Sequence, residues 1–136
     1  MEPSVTSVDT LVKYYDAIST ADFDTIAECF DTPSKLISLY GTVNHSNREQ
    51  IKETYDKILK TWNEQGISKQ VGYDKEAFEV VNLQDNIDLV HTRLSSYDLE
   101  GKSLQEWNCS YIIREEGNSW LISLVTSDNK SSKSIK

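Results

Sequence analysis

The spacing of apolar residues in this chain changes once, near Gly66. Before that glycine, apolar residues recur mainly at three- and four-residue intervals, the spacing of one face of an α-helix. After it, apolar and polar residues alternate, as they do in half-buried β-strands. Helices gathered first and antiparallel strands after them are typical of an α+β domain whose helices cover one face of a sheet. A strongly curved sheet of this kind makes a cone with a pocket beneath the helices.

Local signals place three helices and one short strand in the first half of the chain. Asp22 is a suitable cap for a second helix. Pro33 disfavours helical geometry at the preceding residue, and Gly66 is suited to a left-handed stop. Ser46 and Glu49 have the spacing of a capping box. The predicted elements are a helix opening at Ser7, a helix over 22–30, a strand over 35–40 and a helix over 46–65.

The second half predicts four further strands joined by short turns. They span 68–83, 87–99, 103–114 and 120–127, and the first is long enough to need a bend or a bulge. The sequence therefore predicts an N-terminal tail over 1–7, one domain over 8–127 and a flexible C-terminal tail over 128–136. A length of 136 residues suits a single domain.

Charge and composition exclude several classes of protein. Fourteen Lys and Arg stand against 22 Asp and Glu, a net charge of −8, so we expect neither nucleic acid nor an anionic membrane as a partner. No run of 18 apolar residues and no signal-peptide pattern is found, so a cytoplasmic location is expected. The two cysteines and two histidines lack metal-site spacing, and no phosphate-binding loop is present. We expect no metal and no cofactor.

Three segments resemble the nuclear transport factor 2-like superfamily, also called the SnoaL-like or ketosteroid isomerase-like group. They are VKYYDAISTADFDTIAECF over 12–30, KLISLYG over 35–41 and REEGNSWLISLV over 114–125. The resemblance covers roughly residues 8 to 127, and the chain is most similar to an uncharacterised branch of the group. It implies a cystatin-like cone fold, with three N-terminal helices packed on a curved mixed or antiparallel sheet. Members include isomerases, dehydratases, cyclases, epoxide hydrolases and non-catalytic modules, so the fold does not set the function.

The isomerase branch of that group implies specific residues, and this chain departs from them. Tyr14 matches the helix-one tyrosine, and Tyr55 matches a supporting tyrosine of some members. The position of the aspartate base falls on Ser38, whose hydroxyl has no useful basicity near neutral pH. The position of the oxyanion aspartate falls near Asn108 or Cys109. A steroid-type isomerase is therefore not expected.

Strand alternation supplies the remaining candidates for the pocket. His91, Arg93, Ser95 and Tyr97 share one strand face, and alignment through Gly101 points that face into the pocket. A slip of one residue would reverse the assignment. The predicted ligand-binding residues are Tyr14, Phe30, Tyr55, His91, Arg93 and Asn108, and the catalytic candidates are Tyr14 and His91. For each, packing, a surface hydrogen bond or an ion pair is an alternative role.

The last strand is apolar on both faces, which favours a sheet covered by a second copy of the chain. Trp120, Ile122 and Leu124 alternate with Leu121, Ser123 and Val125, and Trp107 and Tyr111 add aromatic area next to them. The alternative is that these residues line the pocket.

Two functions stay open: binding of a small, mostly apolar molecule in the cone, with or without a lyase, isomerase or cyclase step, and a non-catalytic, homodimeric association module. The sequence does not decide whether the chain is an enzyme.

Overall fold

In the computed structural model, residues 5–129 are described, and they form three α-helices and seven strands. In chain order the elements are α1 (Ser7–Ser19), α2 (Phe23–Glu28), β1 (Phe30–Ser38), β2 (Gly41–His45), α3 (Arg48–Glu64), β3 (Ile67–Tyr73), a 3₁₀ turn (Lys75–Ala77), β4 (Glu79–Gln84), β5 (Ile87–Asp98), β6 (Ser103–Glu116) and β7 (Ser119–Ser127). Helices α1 and α3 pack on one face of the sheet, which we call the inner face; the opposite face is the outer face.

The strands form one mixed sheet in the order β2-β1-β7-β6-β5-β3, with β4 also paired to β5. Strand β1 runs parallel to β7, and every other pairing is antiparallel. The predicted α+β, cystatin-like fold is confirmed. Because β1 pairs with β7, the first and last strands of the chain lie side by side. Residues far apart in sequence therefore share the inner face.

Three side-chain caps set the helix starts. Asp22 accepts a hydrogen bond from the Thr25 amide, as predicted. Helix α1 begins at Ser7, as predicted, and Thr6 is its cap, whereas α3 is capped by Asn47 rather than Ser46. Asn47 takes the extended backbone conformation of a cap and accepts from the Gln50 amide, whereas Ser46 precedes the helix and its amide donates to the Gln50 side chain.

The strands differ from the prediction in three places. Strand β1 begins at Phe30 instead of residue 35, because its first residues pair with β7 across the fold. A further strand, β2, follows a tight turn and pairs back on β1, and His45 is its last residue. The predicted strand over 68–83 is two strands, β3 and β4, separated by the 3₁₀ turn.

The core lies between the helices and the inner face. Its most deeply buried members are Leu11, Tyr15, Ile26, Ile51, Val90, Tyr111, Ile113 and Ile122. Of the predicted tails, residues 1–4 and 130–136 lie outside the described residues. Ser7 belongs to α1, and the Asp128 amide donates to the Asn108 carbonyl of β6 while Asn129 is buried. Within residues 5–129, no helix has the length and apolar character needed to span a membrane.

Candidate functional site

A cavity of about 60 Å³ lies between α1, α3 and the inner face of the sheet, and we call it the cone cavity. Its wall is mainly apolar and aromatic. The aliphatic part of the wall comes from both layers, with Ile58 on α3 and Leu36, Leu94 and Val125 on the strands. Helical periodicity in α3 and strand alternation in β1, β5 and β7 aim these side chains at the same space.

Tyr14 and Tyr55 form a hydroxyl pair on this wall. Their oxygen atoms are 2.5 Å apart, and both side chains are buried. Phe30 packs edge-on against Tyr14 with ring centroids 5.6 Å apart. Burial raises the pKa of Tyr14 and of Tyr55, so both hydroxyls are protonated at neutral pH. The two hydroxyls carry two protons and share one hydrogen bond, so one O–H is left to donate elsewhere.

A second hydroxyl chain crosses from helix to sheet. The Thr92 hydroxyl donates to the Cys109 carbonyl, so Tyr15 donates to Thr92 and Tyr111 donates to Tyr15. Every proton in this chain has an acceptor. Tyr15 and Tyr111 line the cone cavity. Sequence reasoning did not place Tyr15 there, and it gave the pocket only as the alternative role of Tyr111. Tyr15 directly follows Tyr14, so helical spacing alone gave no reason to aim both at one site.

Trp62 also lies on this wall, and sequence reasoning did not assign it to ligand binding. It lies on α3, is 6% exposed and packs edge-on against Trp107 with ring centroids 6.3 Å apart. Its indole Nε1 is buried and has no hydrogen-bond partner in the described part of the chain. Its place in the apolar stripe of α3 is compatible with ordinary packing, so no sequence signal distinguishes it.

A protein-family model described as "NTF2-like protein (DUF6841)" matches residues 7–130. The chain belongs to this NTF2-like family. Three similar solved structures show that its fold is shared with proteins of low sequence identity. None of the curated proteins matches the sequence.

The first of these structures is a protein of unknown function with a cystatin-like fold from Nostoc punctiforme. It has a TM-score of 0.72 and 12% identity, with 94% of each chain covered. A ketosteroid isomerase-like protein from Erwinia carotovora atroseptica has a TM-score of 0.67 and 12% identity, covering 94% of this chain and 97% of that one. A putative calcium/calmodulin dependent protein kinase II association domain from Xanthomonas campestris has a TM-score of 0.64 and 16% identity, covering 87% and 81%.

The NTF2-like sheet carries three of the predicted site residues on its outer face, away from the cone cavity. His91 Nδ1 lies 2.9 Å from the Ser110 hydroxyl, Arg93 pairs with Glu106, and Asn108 bonds to Asp128. Their neighbours in β5, Thr92 and Leu94, face the helices and are buried. The predicted facing of His91 and Arg93 is therefore wrong.

The buried residues of β5 show which of its faces meets the helices. Val90, Thr92 and Leu94 are buried, and His91 and Arg93 alternate with them on the outer face. The alternation in the sequence did not decide between the two faces, since a slip of one residue reverses them. Of the predicted ligand-binding set, the structure brings together Tyr14, Phe30 and Tyr55 and separates them from His91, Arg93 and Asn108.

The aromatic residues expected on the dimer face also lie elsewhere. Trp107 and Tyr111 line the cone cavity, which was the alternative role for them. In β7, Ile122 is fully buried whereas Leu124 is half-buried, and a register shift opposite Ile112 and Ile113 lies between them. The shift places Ile122 on the inner face and Leu124 on the outer face, so they do not share one face.

The described wall of the cone cavity holds no Asp, Glu, His, Lys or Arg. Its titratable groups are tyrosine hydroxyls and the Cys109 thiol, and burial raises the pKa of each. Ser38, at the position of the isomerase base, accepts a hydrogen bond from the Tyr40 amide. Across residues 5–129, no three His, Cys, Asp or Glu side chains gather as a metal site. At neutral pH this wall can donate hydrogen bonds but has no group ready to remove a proton.

Proposed function

We propose that this NTF2-like protein binds a small, neutral, mostly apolar molecule in the cone cavity. The observation that carries the proposal is an interior space with an apolar wall and a hydroxyl pair that retains one unused O–H. Binding sites for small molecules commonly combine an apolar wall with a few convergent polar groups. A neutral molecule fits best, because the described wall has no charge to compensate an ion.

The same wall favours binding over acid–base catalysis. A lyase, isomerase or cyclase step needs a group that accepts a proton near the working pH. The tyrosines and Cys109 on the wall have raised pKa values and stay protonated, and His91 lies on the outer face. We therefore propose a carrier or sensor of a small molecule, without proton transfer by the described wall.

A matched pair of valines tests the site. Val125 lines the cone cavity and Val90 does not, although both are buried on strands. Val125→Leu adds a methylene to the empty space, so we expect it to weaken the binding of small neutral molecules observed by ligand-detected NMR. Val90→Leu overpacks the core and costs about 1–3 kcal/mol of stability, but should leave binding intact. Equal binding by the Val125→Leu variant and the wild type would place the ligand elsewhere.

We propose further that the outer face pairs with a second copy of the chain. Leu89, Ile112 and Leu124 are register neighbours and form an apolar row across three strands. Beside it, Ser110 and Thr126 are uncharged. An uncharged centre reduces the repulsion between two chains of net charge −8. Burial of this row against its own copy would remove apolar area from water.

Sedimentation velocity tests this pairing. Ile112→Glu would place two carboxylates inside the symmetric interface, so we expect that variant to sediment as a monomer while the wild type is a dimer. Leu99→Glu is the control, since Leu99 is 65% exposed in the β5–β6 turn and away from the apolar row. A monomeric wild type, or a dimer unaffected by Ile112→Glu, would contradict the proposal.

A further inference from the structure

Strand β4 is a free edge of the sheet in the part of the chain that the structure describes. Within residues 5–129 it pairs only with β5, and each of its six residues is exposed. In an antiparallel ladder, every second residue of an edge strand directs its N–H and C=O groups away from its neighbour. Half of the backbone of β4 is therefore placed to pair with one more strand.

The side chains of β4 are apolar for a free edge. Val80, Val81 and Leu83 are between 45% and 52% exposed, and the strand contains neither Lys nor Pro. Proteins usually place lysine, proline or a bulge on a free edge, because these features prevent unwanted pairing. In β4 the register shifts only between Asn82 and Gln84, so residues 79–82 pair with β5 without interruption. This regular part of the edge is suited to strand addition.

The aromatic core fixes the start of β4 in position. Phe78, the residue before the strand, packs against Tyr15 and Tyr73 with ring centroids 6.2 and 6.0 Å away. A preformed edge loses little conformational entropy when it binds a partner. At the opposite edge of the described sheet, β2 has only one large apolar residue, Val43, and that side chain packs against the core. The two edges therefore differ, and β4 is the one suited to binding.

The charges around β4 indicate which kind of strand fits its edge. Glu76 and Glu79 lie at its start and Asp85 just after its end; all three are exposed, and none forms an ion pair with a described residue. Lys75 offsets only one of these charges. In a two-fold antiparallel pairing of β4 with its own copy, each acidic end would meet the other acidic end and repel it. A strand with basic ends would meet opposite charges instead.

We propose that the free edge of β4 binds an extended, basic segment of a partner protein by adding it to the sheet as a further strand. Backbone hydrogen bonds to residues 79–82 hold the segment, and Val80 and Leu83 contact its apolar side chains. Glu79 and Asp85 pair with its basic ends. No residue of β4 lines the cone cavity, so this inference is independent of a ligand there.

A synthetic peptide that alternates valine and threonine between terminal lysines tests this edge. In ¹⁵N NMR spectra we expect the peptide to shift the amide signals of residues 79–84. Solvent exchange should slow at alternate residues of β4, because only the outward N–H groups gain a partner. The same peptide with terminal glutamates should bind about tenfold more weakly at low salt. Salt at about 0.5 M should reduce this difference by screening the charges.

Two double variants give a matched comparison of the edge with another exposed apolar site. Val80→Lys combined with Leu83→Lys places two positive charges on the edge, so we expect the lysine peptide to bind at least about tenfold more weakly. Leu99→Lys combined with Leu104→Lys adds the same charge at the β5–β6 hairpin, where both leucines are also exposed. This control should bind the peptide as the wild type does.

Three results would overturn the proposal. They are amide shifts that appear in β2 or elsewhere but not in β4, equal affinity for the lysine and glutamate peptides, and equal weakening by both double variants. If the Val80→Lys and Leu83→Lys variant does not fold, the exchange pattern of β4 in the wild-type protein decides the question.

Discussion

At the scale of single residues, the polar groups buried under the helices determine how the stability of the protein depends on pH and on single substitutions. His45 is 2% exposed at the end of β2, and its Nε2 lies 2.8 Å from the Thr54 hydroxyl of α3. Its Nδ1 and the hydroxyl of its cross-strand partner Ser34 are buried without a partner in residues 5–129. Desolvation lowers the pKa of His45, so the folded state holds this ring neutral.

The lowered pKa of His45 predicts a loss of stability in mild acid. The unfolded chain binds a proton at this ring near pH 6.5, whereas the folded chain binds it only at lower pH. Stability is therefore complete above about pH 6.5 and falls as the pH drops from there toward the folded-state pKa. Urea unfolding across this range should show a smaller loss for His45→Gln than for the wild type. Parallel pH profiles of the two proteins would contradict the prediction.

The hydroxyl chain makes a second prediction at this scale. Tyr15 and Tyr111 are both 1% exposed, but Tyr15 has two hydroxyl partners and Tyr111 has one. Tyr15→Phe strands the Tyr111 hydroxyl, so we expect it to cost about 1–3 kcal/mol. Tyr111→Phe removes only the terminal donor and should cost about 0.5–1.5 kcal/mol. Chemical denaturation of the two variants measures their losses of stability. A larger loss for Tyr111→Phe than for Tyr15→Phe would show that the assigned direction of these hydrogen bonds is wrong.

At the scale of elements, helix ends and strand registers decide which residues reach the cone cavity. Helix α3 brings both Tyr55 and Trp62 to the wall, so its start and its rotation matter to the site. The ladder between β6 and β7 shifts register once, and this shift decides which side chains of β7 face the helices.

The cap of α3 gives a prediction with a neighbouring control. Asn47 accepts the Gln50 amide, whereas the Ser46 side chain is exposed before the helix. Asn47→Ala should therefore destabilise the protein by about 1 kcal/mol, and Ser46→Ala should be close to neutral. Thermal unfolding of both variants compares them, and an equal or larger loss for Ser46→Ala would restore the cap position that the sequence pattern favours.

At the scale of the whole molecule, the two faces of the sheet have separate proposed roles. The inner face and the helices enclose the cone cavity, and the outer face carries the row Leu89, Ile112 and Leu124. This separation means that substitutions on the outer row can change association without touching the cavity wall.

Self-association through the outer face predicts that thermal stability depends on protein concentration. A partner that binds only the folded chain stabilises it by mass action, so the Tm of the wild type should rise as the protein is concentrated. Ile112→Glu should remove the rise, and Leu99→Glu should keep it. A wild-type Tm that is independent of concentration, measured by differential scanning calorimetry, would oppose the dimer.

The sequence by itself determined the features that depend on neighbours along the chain. Three- and four-residue spacing predicts the helices, alternation predicts the strands after Gly66, and Asp22 is found as the cap of α2. The order of the helices and strands, together with the family resemblance, already implied the cone fold. Tyr14, Phe30 and Tyr55 lie in the segments that form it. These features are local, so hydrophobic periodicity and capping chemistry are sufficient to indicate them.

The tertiary structure alone decided what depends on pairing between distant segments. Strand β1 begins early because Phe30 pairs with Ile122, which lies 92 positions later in the chain. Leu124 lies on the outer face although Ile122 lies on the inner face, because β7 carries an extra residue between them, a shift that alternation within β7 does not record. The free donor of Trp62 emerges only when every acceptor around it is known. Strand alternation has a period of two, so a single unpaired residue reverses a face, and only the assembled sheet reveals where it lies.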